Sequence, residues 1–130
     1  SHVLSALIQR FHEAKEGGAK KVTIWGSGRA KREFLHVDDL ADACIFLMQK
    51  YNDSEIINIG TSKDLSIKEL AEKIKKVVGY SGKIVWDKTK PDGTPRKLLD
   101  VSKLHKLGWK HSIPLDKGLA LTYEWYKTKC

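Results

Sequence analysis

The sequence predicts a small α/β lobe of roughly three or four short strands and four or five helices. Apolar residues recur with a helical period at Val3, Leu4, Leu7, Ile8, Phe11 and Ala14, and again from Leu40 to Met48, Ile67 to Val78 and Leu115 to Tyr126. Short β-rich runs, Val22 to Trp25 and Lys83 to Trp86, stand between them. Turns rich in Gly, Pro and Asp separate the two kinds of segment.

One domain fits 130 residues, a size at which roughly two-thirds of the unfolded surface is buried without help from metal or disulfide. The chain opens on Ser1-His2 rather than an initiator Met and is read as a piece of something longer. A formal charge of +8 raises nucleic acid as a partner. Yet Lys68, Lys73, Lys75, Lys76, Lys103 and Lys106 are spread along helical segments with acids between them, which reads as a solvated surface and not a binding field. The two cysteines, Cys44 and Cys130, have neither metal-ligand spacing nor the look of a disulfide framework, so a reducing cytoplasm is the default. No apolar run approaches the ~20 residues of a membrane span, and no signal-peptide pattern opens the chain. A soluble protein is expected.

In order, the first helix runs from Val3 to about Lys15 and is stopped by Gly17 and Gly18. Arg10 lies beside its apolar stripe, placed to reach past the core edge, and His2 sits at its front. The strand at Val22 to Trp25 leads into a Gly26/Gly28 turn followed by Arg29, Lys31 and Arg32, and Glu33 to His36 reads as a further strand. An indole, a flexible turn and three cations together suit a phosphate-bearing ligand with a flat base. Core packing for Trp25, and a surface place on a hairpin for Arg32, stay open as alternatives. Asp38 and Asp39 open the next helix, where carboxylates favour the positive end of the dipole; they are read as structural and not as a catalytic pair. Leu40, Ala43, Cys44, Leu47 and Met48 share one face of that helix, which places Cys44 in the core.

Ile56 to Ile59 reads as a buried strand ending in Gly60-Thr61, with no phosphate-cradling glycine pattern after it. Ser66 and Glu69 have the spacing of a capping box for a helix that ends at Gly79. Past the strand at Lys83 to Trp86, the two prolines and Asp92-Gly93 stiffen the loop from Lys90 to Asp100, fixing Asp92 and the Arg96/Lys97 pair; an ordinary edge loop is the alternative. Asp100 caps a short helix bearing Val101, Leu104 and Leu107, and Pro114 starts the last one, with Leu115, Leu119, Tyr123 and Tyr126 in a stripe.

Five blocks carry a family resemblance: Ser1-His2-Val3, Trp25-Gly26-Ser27-Gly28, Arg32 to Asp39, Asn58-Ile59-Gly60-Thr61, and Lys90 to Asp100. Together they make the chain resemble, over essentially its whole length, the C-terminal part of the GDP-L-fucose synthase family, which are extended short-chain dehydrogenase/reductases. The resemblance implies an α/β substrate-binding lobe spanning residues 1–130 with its Rossmann half absent. It implies that His2 is an acid/base in epimerisation, a task that suits an imidazole titrating near neutrality. A disordered terminus is the competing reading of His2, and Ser5 departs from the family's usual proline. By the same resemblance Trp25 faces the nucleotide-sugar, Arg10, Arg32 and Lys97 hold its diphosphate, and Asp92 accepts a hydrogen bond from the ligand. A planar guanidinium holds phosphate oxygens bidentately, which is why arginine is apt there.

The implied activity of the intact enzyme is the NADPH-dependent conversion of GDP-4-keto-6-deoxy-mannose to GDP-fucose, by a homodimer. NADP(H) then belongs to the missing N-terminal Rossmann domain, and no cofactor is expected for this chain alone. None of Tyr51, Tyr80, Tyr123 and Tyr126 is read as preceding a lysine by four positions, so the family's catalytic Tyr-x-x-x-Lys pair is taken as missing, and Cys44 is in the wrong place to be the epimerisation cysteine. The chain is expected to bind part of a substrate, to catalyse nothing by itself, and to expose apolar surface where the other half would sit. The same lobe acting on a UDP- or dTDP-sugar, and a basic nucleic-acid-binding module, are the alternatives.

Overall fold

Residues 2–50, 60–61, 63–93, 96–97 and 100–129 are described by a computed structural model, and the arrangement is mixed α/β as predicted. Helix α1 (His2–Gly17) turns its periodic apolar face inward, so that Leu7, Ile8, Phe11 and Ala14 are buried. Strand β1 (Lys21–Trp25) alternates, with Val22 and Ile24 in the core and Lys21 and Trp25 outside. It pairs in parallel with β4 (Lys83–Asp87), Trp25 opposite Asp87. A parallel pair needs a crossover, and α3 (Ile67–Val78) lies within the connection. α3 is the element the sequence describes best: Ser66 accepts from the Glu69 N–H at 3.0 Å, the Glu69 carboxylate accepts from the Ser66 N–H at 3.2 Å, and Gly79 closes the helix in the left-handed conformation at φ 79°. Its Leu70, Ala71, Ile74 and Val78 meet α1, β1 and the last helix, α5 (Leu115–Lys129), through Leu119 and Tyr123.

A second sheet of three two-residue strands lies beside this core. β2 (Lys31–Arg32) is its middle strand, antiparallel to β3 (Leu65–Ser66) and parallel to β5 (Arg96–Lys97). The strand predicted at Glu33 to His36 is therefore displaced to Lys31–Arg32. Phe34 packs against the main core and Leu35 against a second one, so this segment bridges two cores and has no strand partner among the described residues. The strand predicted at Ile56 to Ile59 falls outside the described residues.

The second core joins α2 (Val37–Lys50) to α4 (Ser102–Lys106) through Ala43, Leu104 and Trp109, and the Trp109 indole N–H donates to Asp42 at 2.8 Å. Asp100 accepts from the Ser102 N–H at 3.0 Å but stands one residue before the N-cap of α4, which is Val101 and not Asp100 as the sequence predicts. Cys44 is exposed, which corrects its predicted place in the core. α2 buries the face of Asp39, Ala43, Phe46 and Leu47, and this turns the Leu40, Cys44 and Met48 stripe outward, Met48 to 85% exposure. No helix among the described residues is long and apolar enough to cross a membrane.

Asp39 is structural, as read from the sequence, but it works as a tether and not as a helix cap. Its buried carboxylate accepts from the Ser112 N–H (3.1 and 3.2 Å), the Ser112 hydroxyl (3.0 Å) and the Ile113 N–H (2.9 Å), fixing the approach to α5. Burial alone would raise its pKa; these donors, with His111 nearby, outweigh burial and hold it below the ordinary carboxylate value. A carboxyl whose pKa falls on folding contributes stability above its ordinary pKa and loses it as pH falls through the folded one. The stability gap between the native chain and Asp39→Asn, read from urea melts, is therefore expected to be full at neutral pH and to shrink below about pH 4.

Candidate functional site

The N-terminal half of α1 and the C-terminal end of β1 converge on a cavity of about 570 Å³, within the usual size of a small-molecule site. Val3, Ala6, Leu7 and Arg10 follow the helical i, i+3, i+4, i+7 spacing and line one wall. Ile24 and Trp25 end β1 beneath them, and Arg32, Ile67 and the Pro91 to Gly93 segment complete the lining. Four of the residues singled out from the sequence, Arg10, Trp25, Arg32 and Asp92, thus border one concavity. The side chains of His2 and Lys97 lie outside the described residues. Along the backbone, His2 begins α1 and Lys97 is the register partner of Arg32 between β5 and β2.

Two backbone turns set the shape. Gly26 and Gly28 both hold positive φ, 97° and 78°, which glycine adopts without penalty. The Gly28 carbonyl accepts from the Lys68 N–H at 3.0 Å and the Ala30 carbonyl from the Ile67 N–H at 2.8 Å, so the turn is fastened to the start of α3. Asp92 fastens it from the other side. Its carboxylate accepts the Ser27 N–H at 2.8 Å and the Ser27 hydroxyl at 2.6 Å, and these bonds hold its pKa below the ordinary range. A Cβ on Gly26 would lie 2.4 Å from Asp92 Oδ1, so glycine is needed there twice over. In this state Asp92 bonds the turn and shapes the cavity wall.

The charged groups have defined supports. The Arg10 guanidinium donates to the Thr23 carbonyl, and Arg32 donates to the Lys31 carbonyl at 2.7 Å while its Nη2 lies 2.9 Å from where a Gly93 Cβ would be. Trp25 is 69% exposed and so serves no core. Lys90 stands over its ring at 5.3 Å from the centroid, a cation–π contact. Arg32 belongs to the middle strand of the second sheet and not to a hairpin with β1. Sequence reasoning missed Ser27 and Lys90; both lie in motifs that it marked, but their partners are distant along the chain.

Tyr123 and Lys127 do have the Tyr-x-x-x-Lys spacing, which corrects the reading that no tyrosine precedes a lysine by four positions. Tyr123 is a buried core residue, its hydroxyl 2.8 Å from His12 Nδ1, and burial raises its pKa despite Lys127 above the ring at 4.8 Å. Its burial in the main core and its bond to His12 mark Tyr123 as a packing residue. The turn after β1 leads to another strand instead of a helix, so it lacks the strand-to-helix form of a dinucleotide-binding turn. Among the described residues there is also no cluster of metal-ligating side chains.

Residues 1–60 match the model of the NAD dependent epimerase/dehydratase family. The chain is 60% identical to GDP-L-fucose synthase 1 of Arabidopsis thaliana over 97% of its own length and 39% of that protein's. Among solved structures it is similar to a GDP-mannoheptose C4 reductase from Campylobacter jejuni with NADP bound, with 45% identity and a TM-score of 0.85 over 96% of this chain and 44% of that one. A GDP-L-fucose synthetase from Naegleria fowleri bound to NADP gives 27% identity and a TM-score of 0.92 over 99% of this chain and 41% of that one. The chain thus spans about two-fifths of the length of these relatives.

Proposed function

We propose that the cavity between α1, β1 and the loop at Pro91 to Gly93 takes the nucleotide end of a GDP-sugar, and that residues 1–130 form the substrate-binding lobe of a GDP-L-fucose synthase. The observation that carries this reading is the convergence of two guanidinium groups and an exposed indole on one apolar-floored cavity, in a chain so similar to enzymes of that name. Arg10 and Arg32, with Lys97 beside Arg32 in the sheet register, neutralise and orient the diphosphate. Trp25 gives the flat ligand a face to pack on, and the Asp92–Ser27 clamp keeps the loop at a fixed distance. His2, as acid/base, moves a proton at the sugar in the intact enzyme.

NADP(H) would supply hydride when bound by the remainder of such an enzyme. We assign it no site among the described residues, whose contribution is to hold and orient the substrate. The exposed apolar face of Val37, Leu40, Ile45 and Met48 on α2, continued by Leu121 and Trp125 on α5, is where we place that Rossmann half. The intact enzyme is read as a cytoplasmic homodimer acting on nucleotide-sugars and not on nucleic acid. Calorimetric titrations with GDP, UDP and dTDP test the substrate class. GDP is expected to bind weakly but more tightly than the two pyrimidine nucleotides; equal or reversed affinities would move the assignment to a UDP- or dTDP-sugar enzyme.

A further inference from the structure

The fold gathers at one end of the molecule lysines that look scattered along the sequence. Lys21 and Lys83 are direct register partners on β1 and β4, an arrangement of like charges that costs stability. Lys20 adjoins them, its carbonyl accepting the Lys83 N–H at 3.0 Å. Lys15 from α1, together with Lys75 and Lys76 from α3, lies in the last turn of its helix. Those three complement the negative helix ends; Lys20, Lys21 and Lys83 have no such explanation. The ion pairs formed among the described residues, His36–Asp38, Lys73–Asp116 and Lys127–Glu124, engage none of the six.

Beside these lysines is a cavity of about 420 Å³ whose lining includes Lys15, Lys20, Lys83 and the turn from Gly79 to Gly82. The N–H groups of Ser81 and Gly82 have no acceptor among the described residues, whereas those of Gly79, Tyr80 and Lys83 are all bonded. Gly82 cannot be replaced without collision, since a Cβ there would lie 2.0 Å from the Tyr80 hydroxyl and 2.7 Å from the Lys20 carbonyl. Two consecutive unbonded N–H groups in a turn that lines the same cavity as three lysines supply the kind of donors that an oxyanion satisfies. We propose that this turn, with Lys15, Lys20 and Lys83, is a second anion site for a phosphate-class oxyanion. It lies roughly 13 Å from the Trp25 cavity, at the other end of the same strand.

The test is a titration of the isotopically labelled chain with inorganic pyrophosphate, following backbone amide resonances. Ser81 and Gly82 are expected to shift saturably. The double variant Lys20→Gln/Lys83→Gln, which changes only exposed side chains, is expected to weaken that binding about tenfold while the thermal melt stays in place. Arg32→Ala is expected to leave it unchanged, so failure here is distinguishable from failure of the nucleotide site. No saturable shift at Ser81 and Gly82, or a shift indifferent to the lysine substitutions, overturns the proposal. So does a response seen only with a long oligonucleotide and lost steeply with salt, which would mark a nucleic-acid surface instead.

Discussion

Phe11→Ala is expected to lower the unfolding free energy by about 3–5 kcal/mol, a large part of the total for a domain of this size. Phe11 is fully buried where α1 crosses α3 and β1, and its ring meets Tyr80 at a centroid distance of 5.7 Å. Removing it takes away the transfer energy of the ring and leaves a cavity, because the surrounding elements are tied independently. Tyr80 is held by its hydroxyl on the Ala19 carbonyl at 2.9 Å, and β1 by its ladder to β4. Collapse into the space is therefore limited and the cost stays high. Leu121→Ala, on the exposed face of α5, is the control and is expected to change stability by less than about 0.5 kcal/mol. Urea melts of the two variants check both statements; a Phe11 cost near that of Leu121 would mean that α1 is not packed as described.

Arg32→Ala is expected to weaken GDP binding about ten- to a hundredfold. The guanidinium stands at the cavity between β2 and the backbone of Gly93, where a diphosphate is met by a fixed fork and not by a mobile charge. Arg32→Lys keeps the charge and loses the fork, so it is expected to recover only part of the affinity. Calorimetry on the three chains separates the outcomes. Full recovery by lysine would reduce the role of Arg32 to bulk charge, and no loss in the alanine variant would remove it from the site.

The parts of this fold that the sequence makes legible are those fixed by near neighbours. The Ser66–Glu69 capping box and the Gly79 stop are local hydrogen-bond chemistry, and α3 appears where they place it. The apolar phase of α1 likewise brings Arg10 onto the same wall as Val3, Ala6 and Leu7. Features that depend on distant partners are less legible. Strands of two residues carry no alternation to read, so the β3-β2-β5 sheet could not be found from pattern. The stripe containing Cys44 is apolar but faces outward, because periodicity shows that a helix has an apolar face without showing what covers it. In the site, Trp25, Arg32 and Asp92 were marked by the chemistry of their motifs, whereas the Ser27 clamp and Lys90 above Trp25 needed the long-range fold to be seen.

The central claim is that Trp25, Arg10 and Arg32 face a single ligand. It is tested most directly by titrating the labelled chain with GDP while following the Trp25 indole N–H and the side-chain N–H resonances of both arginines. The account predicts that all three move together along curves described by one dissociation constant. Resonances that move with different constants, or an indole that stays still while GDP binds elsewhere, would contradict it.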